Sequence, residues 1–359
     1  MTTMTSIARI LPRLSPLAVL AALAAAPFFV GRFQTFQLAT ILIWAVAILG
    51  VNMLTGFSGQ ITLASGAFVG IGAYVTSVLA VHAGVDPLLT VLVAAPAGFA
   101  CGVAVGVPAA RLRGIQLIIL TAVVAVAFAP VVKRLDALTG GAPGLAVPRP
   151  AAPAAWGVSV DAWVLWLSLI PAAAVWYVGA QIARGRIGRT LVAVKELDLA
   201  APALGFDPSR YRIFTFAISS SFCAVAGSMY AWSYGFVAPD AFPLTLSITL
   251  LACAVIGGLT SVWGALAGGA VLTLTPYFLG EVSASLTGLL FGAALILLVY
   301  VMPGGVAGVL AAARSRLLAA RRSGRAGGLR VRGSAAPEGG PNRVSTVDPE
   351  TQTGGSDVR

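Results

Sequence analysis

Residues able to do chemistry are scarce in this chain. Its 359 residues include one histidine, His82, two lysines, three cysteines and twelve carboxylates. Charged residues make up 10% of the sequence and hydrophobic residues 58%, against about 25% charged and about 45–50% apolar in a soluble globular domain. The shortage excludes several function classes. There is no HExxH, no GxSxG and no cysteine-rich metal cluster. Neither Lys133 nor Lys195 follows a glycine, so the chain has no G-x-x-x-x-G-K-[ST] phosphate loop and does not hydrolyse nucleotide by itself. No cofactor and no metal is expected on it, and it is not expected to be an enzyme. Cys101, Cys223 and Cys253 stand singly inside apolar runs, without ligand spacing, and read as small packing residues. Carboxylates are missing from the interiors of the apolar runs too. Ion- or proton-coupled carriers place titrating groups inside the bundle, because moving a proton needs one. Asn52, Gln60, Gln116, serines and threonines stand there instead, which favours a pathway driven from elsewhere.

What the chain has in abundance is apolar length. Its mean hydropathy is +0.93. A membrane span needs about 20 mostly apolar residues, and such runs lie at 15–31, 36–54, 60–80, 88–107, 114–132, 160–180, 213–234, 244–258, 262–279 and 283–302. The sequence therefore predicts an all-α, polytopic transmembrane bundle of about ten spans, or eight to nine if 244–258 and 262–279 form a span with a re-entrant pair. Many of the 41 glycines and several of the 21 prolines fall inside apolar runs, where membrane helices tolerate them. Arg9 and Arg13 ahead of the run Leu17–Val30 look like a signal peptide. No small-x-small cleavage site leading into a polar mature domain follows, so a retained first helix is expected.

Charge predicts orientation, because cytoplasmic loops collect Lys and Arg. With the N-terminus inside, the inner segments hold Arg9, Arg13, Arg111, Arg113, Arg184, Arg186, Arg189, Lys195, Arg210 and Arg212, then Arg314, Arg316, Arg321, Arg322 and Arg325. The outer segments hold Arg32, Lys133, Arg134 and Arg149 with Asp86, Asp136, Asp161, Asp240 and Glu281. An even span count puts both termini in the cytoplasm and the chain in the inner membrane. The organisation expected is a cytoplasmic segment 1–14, a membrane domain 15–310 and a basic tail 311–359. The tail has too few apolar residues to fold; it either rests on anionic lipid headgroups or serves as a docking peptide. No basic stripe interleaved with aromatics argues for nucleic acid.

Two regions stand out. Asn52-Met-Leu-Thr-Gly-Phe-Ser-Gly-Gln60 runs into a glycine-rich stretch ending at Ala73. Irregular backbone at membrane depth survives only when buried in protein or lining a wet cavity. Asn52, Thr55, Ser58, Gln60 and Ser65 are therefore candidate pathway residues; the competing reading is a polar turn at the cytoplasmic surface. Gly66-x-x-x-Gly70 suits close helix contact, as do Gly257 and Gly258 in a similar stretch, Ile256–Gly269. Glycine-interrupted segments in both halves point to a repeat-built transporter. The second region is the polar interval Gln181–Arg212. Leu191, Val194, Leu197 and Ala201 fall near helical spacing, and Gly205 can end the helix. It is either a solvated basic loop or a docking helix for a cytoplasmic partner.

Several stretches resemble the permease subunits of branched-chain amino acid ABC transporters, the LivM type. They are Gly188-Arg189, Ala193, Lys195-Glu196, Asp198, Ala200-Ala201, Ala203-Leu204-Gly205, Arg210-Tyr211-Arg212 and Ala226-Gly227, joined by Asn52–Gln60, Arg111–Ile115 and Leu138–Leu145. The resemblance covers about residues 36–305, in order. It implies import of amino acids, branched-chain ones or related small solutes such as amides or urea. It also implies a second, LivH-like permease, two cytoplasmic ATPase subunits that hold the ATP, and an extracytoplasmic solute-binding protein. Arg189, Lys195, Glu196, Asp198, Ala200, Ala201 and Gly205 would then belong to a coupling helix seated on an ATPase. Pro202 stands where the family often has Glu, so that helix either begins near Pro202 or kinks there. The alternative function is an ion-coupled secondary carrier acting alone; a non-transporting membrane scaffold is a third.

Overall fold

The computed structural model describes residues 21–112, 114–152, 158–196, 207–282 and 292–293. The chain runs through α1 (Arg32–Val51), a π-helical continuation Asn52–Phe57, α2 (Ser65–His82), α3 (Pro87–Ala109), α4 (Ile115–Arg134) and α5 (Val160–Arg184). Then come α6 (Arg186–Glu196), α7 (Pro208–Tyr234), α8 (Leu244–Gly257) and α9 (Gly264–Val282). Among the described residues, seven helices are long and apolar enough to cross a membrane, and Gly264–Phe278 is a shorter apolar helix. Eight of the ten expected runs coincide with these helices. Of the first run only residues 21–31 are described, beginning with a helical turn that leads into the 3-10 turn Ala26–Phe28. The last run, the segment 1–14 and the tail 311–359 lie outside the described residues, apart from 292–293.

The bundle is organised around α7, whose sequence mixes serines and small residues with large aromatics. Thr215, Phe216, Cys223, Ala226, Met229 and Trp232 are all buried. Small residues let backbones touch where the bilayer supplies no hydrophobic drive between helices. A Cβ on Gly72 would lie 1.9 Å from the Ala224 carbonyl oxygen, and one on Gly227 would lie 1.9 Å from that of Val69. The α2–α7 contact is thus backbone on backbone. Hydroxyls fasten it: Thr76 Oγ1 donates to Ser228 Oγ at 2.6 Å, and Thr90 Oγ1 of α3 donates to Thr76 at 3.1 Å. On α3 the buried positions Thr90, Ala94, Gly98, Gly102 and Gly106 recur every four residues, and the three glycines face α7. Leu89, Leu92, Val93, Phe99 and Val107 of α3 are exposed, as for a lipid-facing side. Trp232, fully buried, donates its Nε1–H to Ser168 Oγ of α5 at 3.2 Å.

The loops gather at two ends. One end carries Lys133 paired with Asp240 at 2.8 Å, His82 bonded to the Leu138 carbonyl at 3.1 Å, and Arg149 donating to the Tyr234 carbonyl at 3.2 Å. A two-residue antiparallel pairing, Leu145 with Val237 and Ala146 with Phe236, joins β1 (Leu145–Ala146) to β2 (Phe236–Val237) there. At the other end Lys195 reaches Gly56, Asn52 reaches Ser261 and Arg212 reaches Ala110. The two runs 244–258 and 262–279 are separate helices, α8 and α9, in mutual contact at Gly257 and Gly264. The polar interval Gln181–Arg212 takes in the end of α5, at Arg184, and the start of α7, at Pro208. Asp207 caps α7 by accepting from Ser209 N, and Pro208 occupies the first turn, where a missing N–H costs nothing.

Candidate functional site

The candidate site is built on the end of α1. The apolar run read from the sequence ends at residue 54. The helix instead continues to Phe57 by widening into a six-residue π segment, all of it buried. Such segments are rare and recur at functional sites. The chain stays irregular until Ser65 opens α2. Gly59 takes φ +72, a left-handed conformation that favours glycine.

Side chains satisfy this irregular stretch. Asn52, fully buried, donates from Nδ2 to the Ser261 carbonyl at 3.2 Å, while its Oδ1 has no partner among the described residues. Thr55 Oγ1 donates to the Gln60 carbonyl at 3.1 Å, and Gln60 Nε2 donates to Ser58 Oγ. Leu63 N donates to Thr121 Oγ1 of α4 at 3.0 Å, Ala64 N to Thr62 Oγ1 at 3.2 Å, and Gly66 N to Ser247 Oγ of α8 at 2.9 Å. Thr55, Gln60 and Ser65 are buried and Ser58 is half-buried. The five candidate pathway residues therefore lie along one stretch held by Thr121 of α4, Ser247 of α8 and Ser261 in the α8–α9 turn. Thr121, Ser247 and Ser261 supply half of its bonds; Thr121 and Ser247 carry no sequence signal, because single hydroxyls in apolar helices are too common to read, and Ser261 gives only its carbonyl, from the glycine-rich stretch Ile256–Gly269.

The glycines divide among partners. Gly66 packs on Ser247 of α8, and Gly70 lies against the Phe128 ring of α4. Both are close helix contacts, made with two different helices; the backbone-on-backbone approach of α2 falls two residues on, at Gly72. Gly257 touches the start of α9 through Gly264, and Gly258, at φ +106, turns the chain between α8 and α9. Gly56 lies against the carbonyl of Leu259 in that same turn, which a Cβ would approach to 1.9 Å.

The loop between α5 and α7 holds α6, Arg186–Glu196. Leu191 and Val194 are buried, and Leu191 lines a small apolar crevice with Met53, Ile182, Phe214, Thr215 and Ile218. Arg186, Ile187, Arg189, Val192 and Ala193 are exposed. The helix therefore has one apolar face on the bundle and an opposite face mixing arginine with aliphatic groups. Lys195 donates from Nζ to the Gly56 carbonyl at 3.1 Å. Leu197, Asp198, Ala200, Ala201, Pro202 and Gly205 lie outside the described residues, as does the side chain of Glu196.

Apolar spans, an irregular polar stretch buried among them, and an amphipathic helix at one end define a multi-pass helical membrane protein of the transporter kind. The comparisons with known proteins narrow the class. Residues 35–313 match the family described as the branched-chain amino acid transport system / permease component, and the chain belongs to that family. It is similar to the high-affinity branched-chain amino acid transport system permease protein LivM of Escherichia coli K12, at 31% identity over 272 residues, covering 68% of this chain and 63% of that protein. Against LivM of Salmonella typhimurium it is 28% identical over 317 residues, covering 81% of this chain and 73% of the relative. A shorter match, 32% over 124 residues, links it to the E. coli permease protein LivH, over 34% of this chain and 40% of that one. The chain thus spans just under two thirds of the first of these relatives. No solved structure matches it.

Proposed function

We propose that this chain is a membrane-spanning permease subunit of an ABC importer for amino acids, with branched-chain amino acids as the substrate class. It works beside a second, LivH-like permease and two cytoplasmic ATPase subunits that bind the ATP, and an extracytoplasmic binding protein delivers the solute. The observation that carries this reading is family membership across residues 35–313, joined to relatives named as high-affinity branched-chain amino acid permeases. The loop supports the ATPase partner. Arg186 and Arg189, set beside Ile187 and Val192 on the exposed face of α6, suit a cleft with an apolar floor and an acidic rim. Residues 181–212 form the coupling loop in this reading.

The orientation follows from charge. The end bearing Arg111, Arg184, Arg186, Arg189, Lys195, Arg210 and Arg212 faces the cytoplasm, and the end bearing Asp86, Asp136, Asp161 and Asp240 faces outward. Ten spans with both termini inside, in the inner membrane, fit that assignment, with residues 15–310 as the permease domain and 311–359 as a cytoplasmic tail. Asn52, Thr55, Ser58, Gln60 and Ser65 line the pathway. Affinity purification of the tagged chain from its native membrane tests the assembly. The expected result is co-purification of a second permease and of an ATPase carrying a phosphate loop; recovery of the chain alone, in a form that still transports, overturns the reading. Titration of the associated binding protein against the amino acids then fixes the solute.

A further inference from the structure

Gly56 is held from two sides. Its Cα faces the Leu259 carbonyl in the α8–α9 turn, and its own carbonyl accepts from Lys195 of α6. That carbonyl belongs to the last turn of a helix, where carbonyls lack intrahelical partners and a lysine serves as cap. The lysine stem is seated too. A Cβ on Gly59 would lie 3.0, 3.2 and 3.3 Å from Lys195 Cγ, Cδ and Cε, so the stem runs along the bare Gly59 backbone. One turn away Leu191 shares a crevice with Met53 of the same π segment. At its other end the segment is tied to the α8–α9 turn by Asn52 and Ser261. Three elements thus converge on six residues: the loop helix, the end of α1 and the α8–α9 turn. The helix form at that junction is the less stable one. A π turn holds one residue more than an α turn, and a return to α geometry moves the residues beyond it by about 100° and about 1.5 Å.

We propose that Lys195 is the positioning residue through which α6 controls the register of the Asn52–Phe57 turn, so that movement of α6 shifts Ser58 to Gln60 and the α8–α9 turn together. This rests on the reading of α6 as the ATPase-facing helix and names the link that carries its motion inward. Lys195 engages the π form. When α6 withdraws, the ammonium leaves the Gly56 carbonyl, the turn loses its cap, and the pathway residues change register.

The test uses the complete transporter in proteoliposomes, with Lys195→Met, which keeps the stem and removes the ammonium, and Lys195→Arg, which keeps a cationic donor. Each is combined with Ser58→Cys for thiol labelling; the native cysteines lie in spans, two buried and Cys101 half-buried. In the parent, the labelling rate at position 58 differs between nucleotide-free and vanadate-trapped complexes. Lys195→Met still assembles with the ATPases and hydrolyses ATP, but it loses that difference and transports about tenfold more slowly, in keeping with one lost charge-assisted hydrogen bond. Lys195→Arg restores both. Full uptake with an intact labelling change in Lys195→Met, or an arginine variant as impaired as the methionine one, overturns the proposal and leaves the transport reading standing. A parent complex without ATP-dependent uptake overturns the transport reading and the latch with it.

Discussion

Gly72→Ala places the α2–α7 seam under direct test. Two terms oppose each other. In a helix interior, alanine is favoured over glycine by about 0.8–1 kcal/mol. At this position the new Cβ would lie 1.9 Å from the Ala224 carbonyl oxygen, whereas ordinary contact begins at 3.4 Å. The obstacle is backbone, so it cannot swing aside, and the helices must part by about 1.5 Å. Overpacking of this kind costs about 1–3 kcal/mol. The same displacement stretches the 2.6 Å Thr76–Ser228 bond beyond hydrogen-bonding range, for about 0.6 kcal/mol more. Strain wins, by about 2 kcal/mol in the upper part of that range. At about 2–4 °C per kcal/mol, the apparent Tm in detergent falls by about 4–8 °C. Gly179→Ala is the control. It too is helical and buried, but its Cβ would meet only side-chain ends, Leu49 Cδ2 at 3.3 Å and Phe222 Cε2 at 3.5 Å. Its Tm stays level or rises. A Gly72→Ala protein as stable as the parent would refute the claim that α2 and α7 touch backbone to backbone.

Two further substitutions separate function from stability. Asn52→Leu removes a buried donor bonded to the Ser261 carbonyl together with an acceptor that has no partner among the described residues. These effects offset, so the Tm stays within about 3 °C of the parent while uptake falls about tenfold; unchanged uptake would take Asn52 out of the pathway. In the loop, Glu196→Lys and Gly205→Trp are expected to abolish transport with normal amounts of protein in the membrane, read by uptake and immunoblot. Normal uptake in both would remove the coupling assignment from this loop.

Much of the architecture is written in the sequence at the level of periodicity and charge. Apolar runs locate the helices because a span needs length and little else. Arg184, Arg186, Arg189 and Lys195 fall at one end because short basic loops stay together. Leu191 and Val194 announce the inner face of α6 by their spacing. The misses have a common cause, which is tertiary contact overriding local signal. The apolar run ends at residue 54, yet the helix passes on to Phe57 as a π turn, with Gly56 packed against Leu259. Gly66 and Gly70 stand out by their spacing and pack on α8 and α4, while the backbone contact of α2 with α7, Gly72 with Ala224, is one glycine among many until the partner helix is in place. The pairing of Leu145–Ala146 with Phe236–Val237 is two residues long between segments far apart in sequence, too short for any alternation to show.

The candidate site was legible in part for the same reason. Asn52, Thr55, Ser58, Gln60 and Ser65 attract notice as polar groups amid apolar ones, and the structure strings them along one irregular stretch. What holds that stretch, the hydroxyls of Thr121 and Ser247 and the carbonyl of Ser261 in the α8–α9 turn, comes from elements whose proximity only the fold provides. Lys195 looks like a solvated charge of a basic loop until its ammonium is seen on Gly56.

The central claim is that this chain transports with energy supplied by partner ATPases. Uptake of radiolabelled leucine into proteoliposomes holding the chain, its partner permease, the ATPases and the binding protein measures that directly. The account predicts uptake that requires ATP on the ATPase side, stops with vanadate and continues after an ionophore collapses the ion gradients. Uptake by the chain without ATPases, driven by a gradient and lost when it collapses, would contradict it.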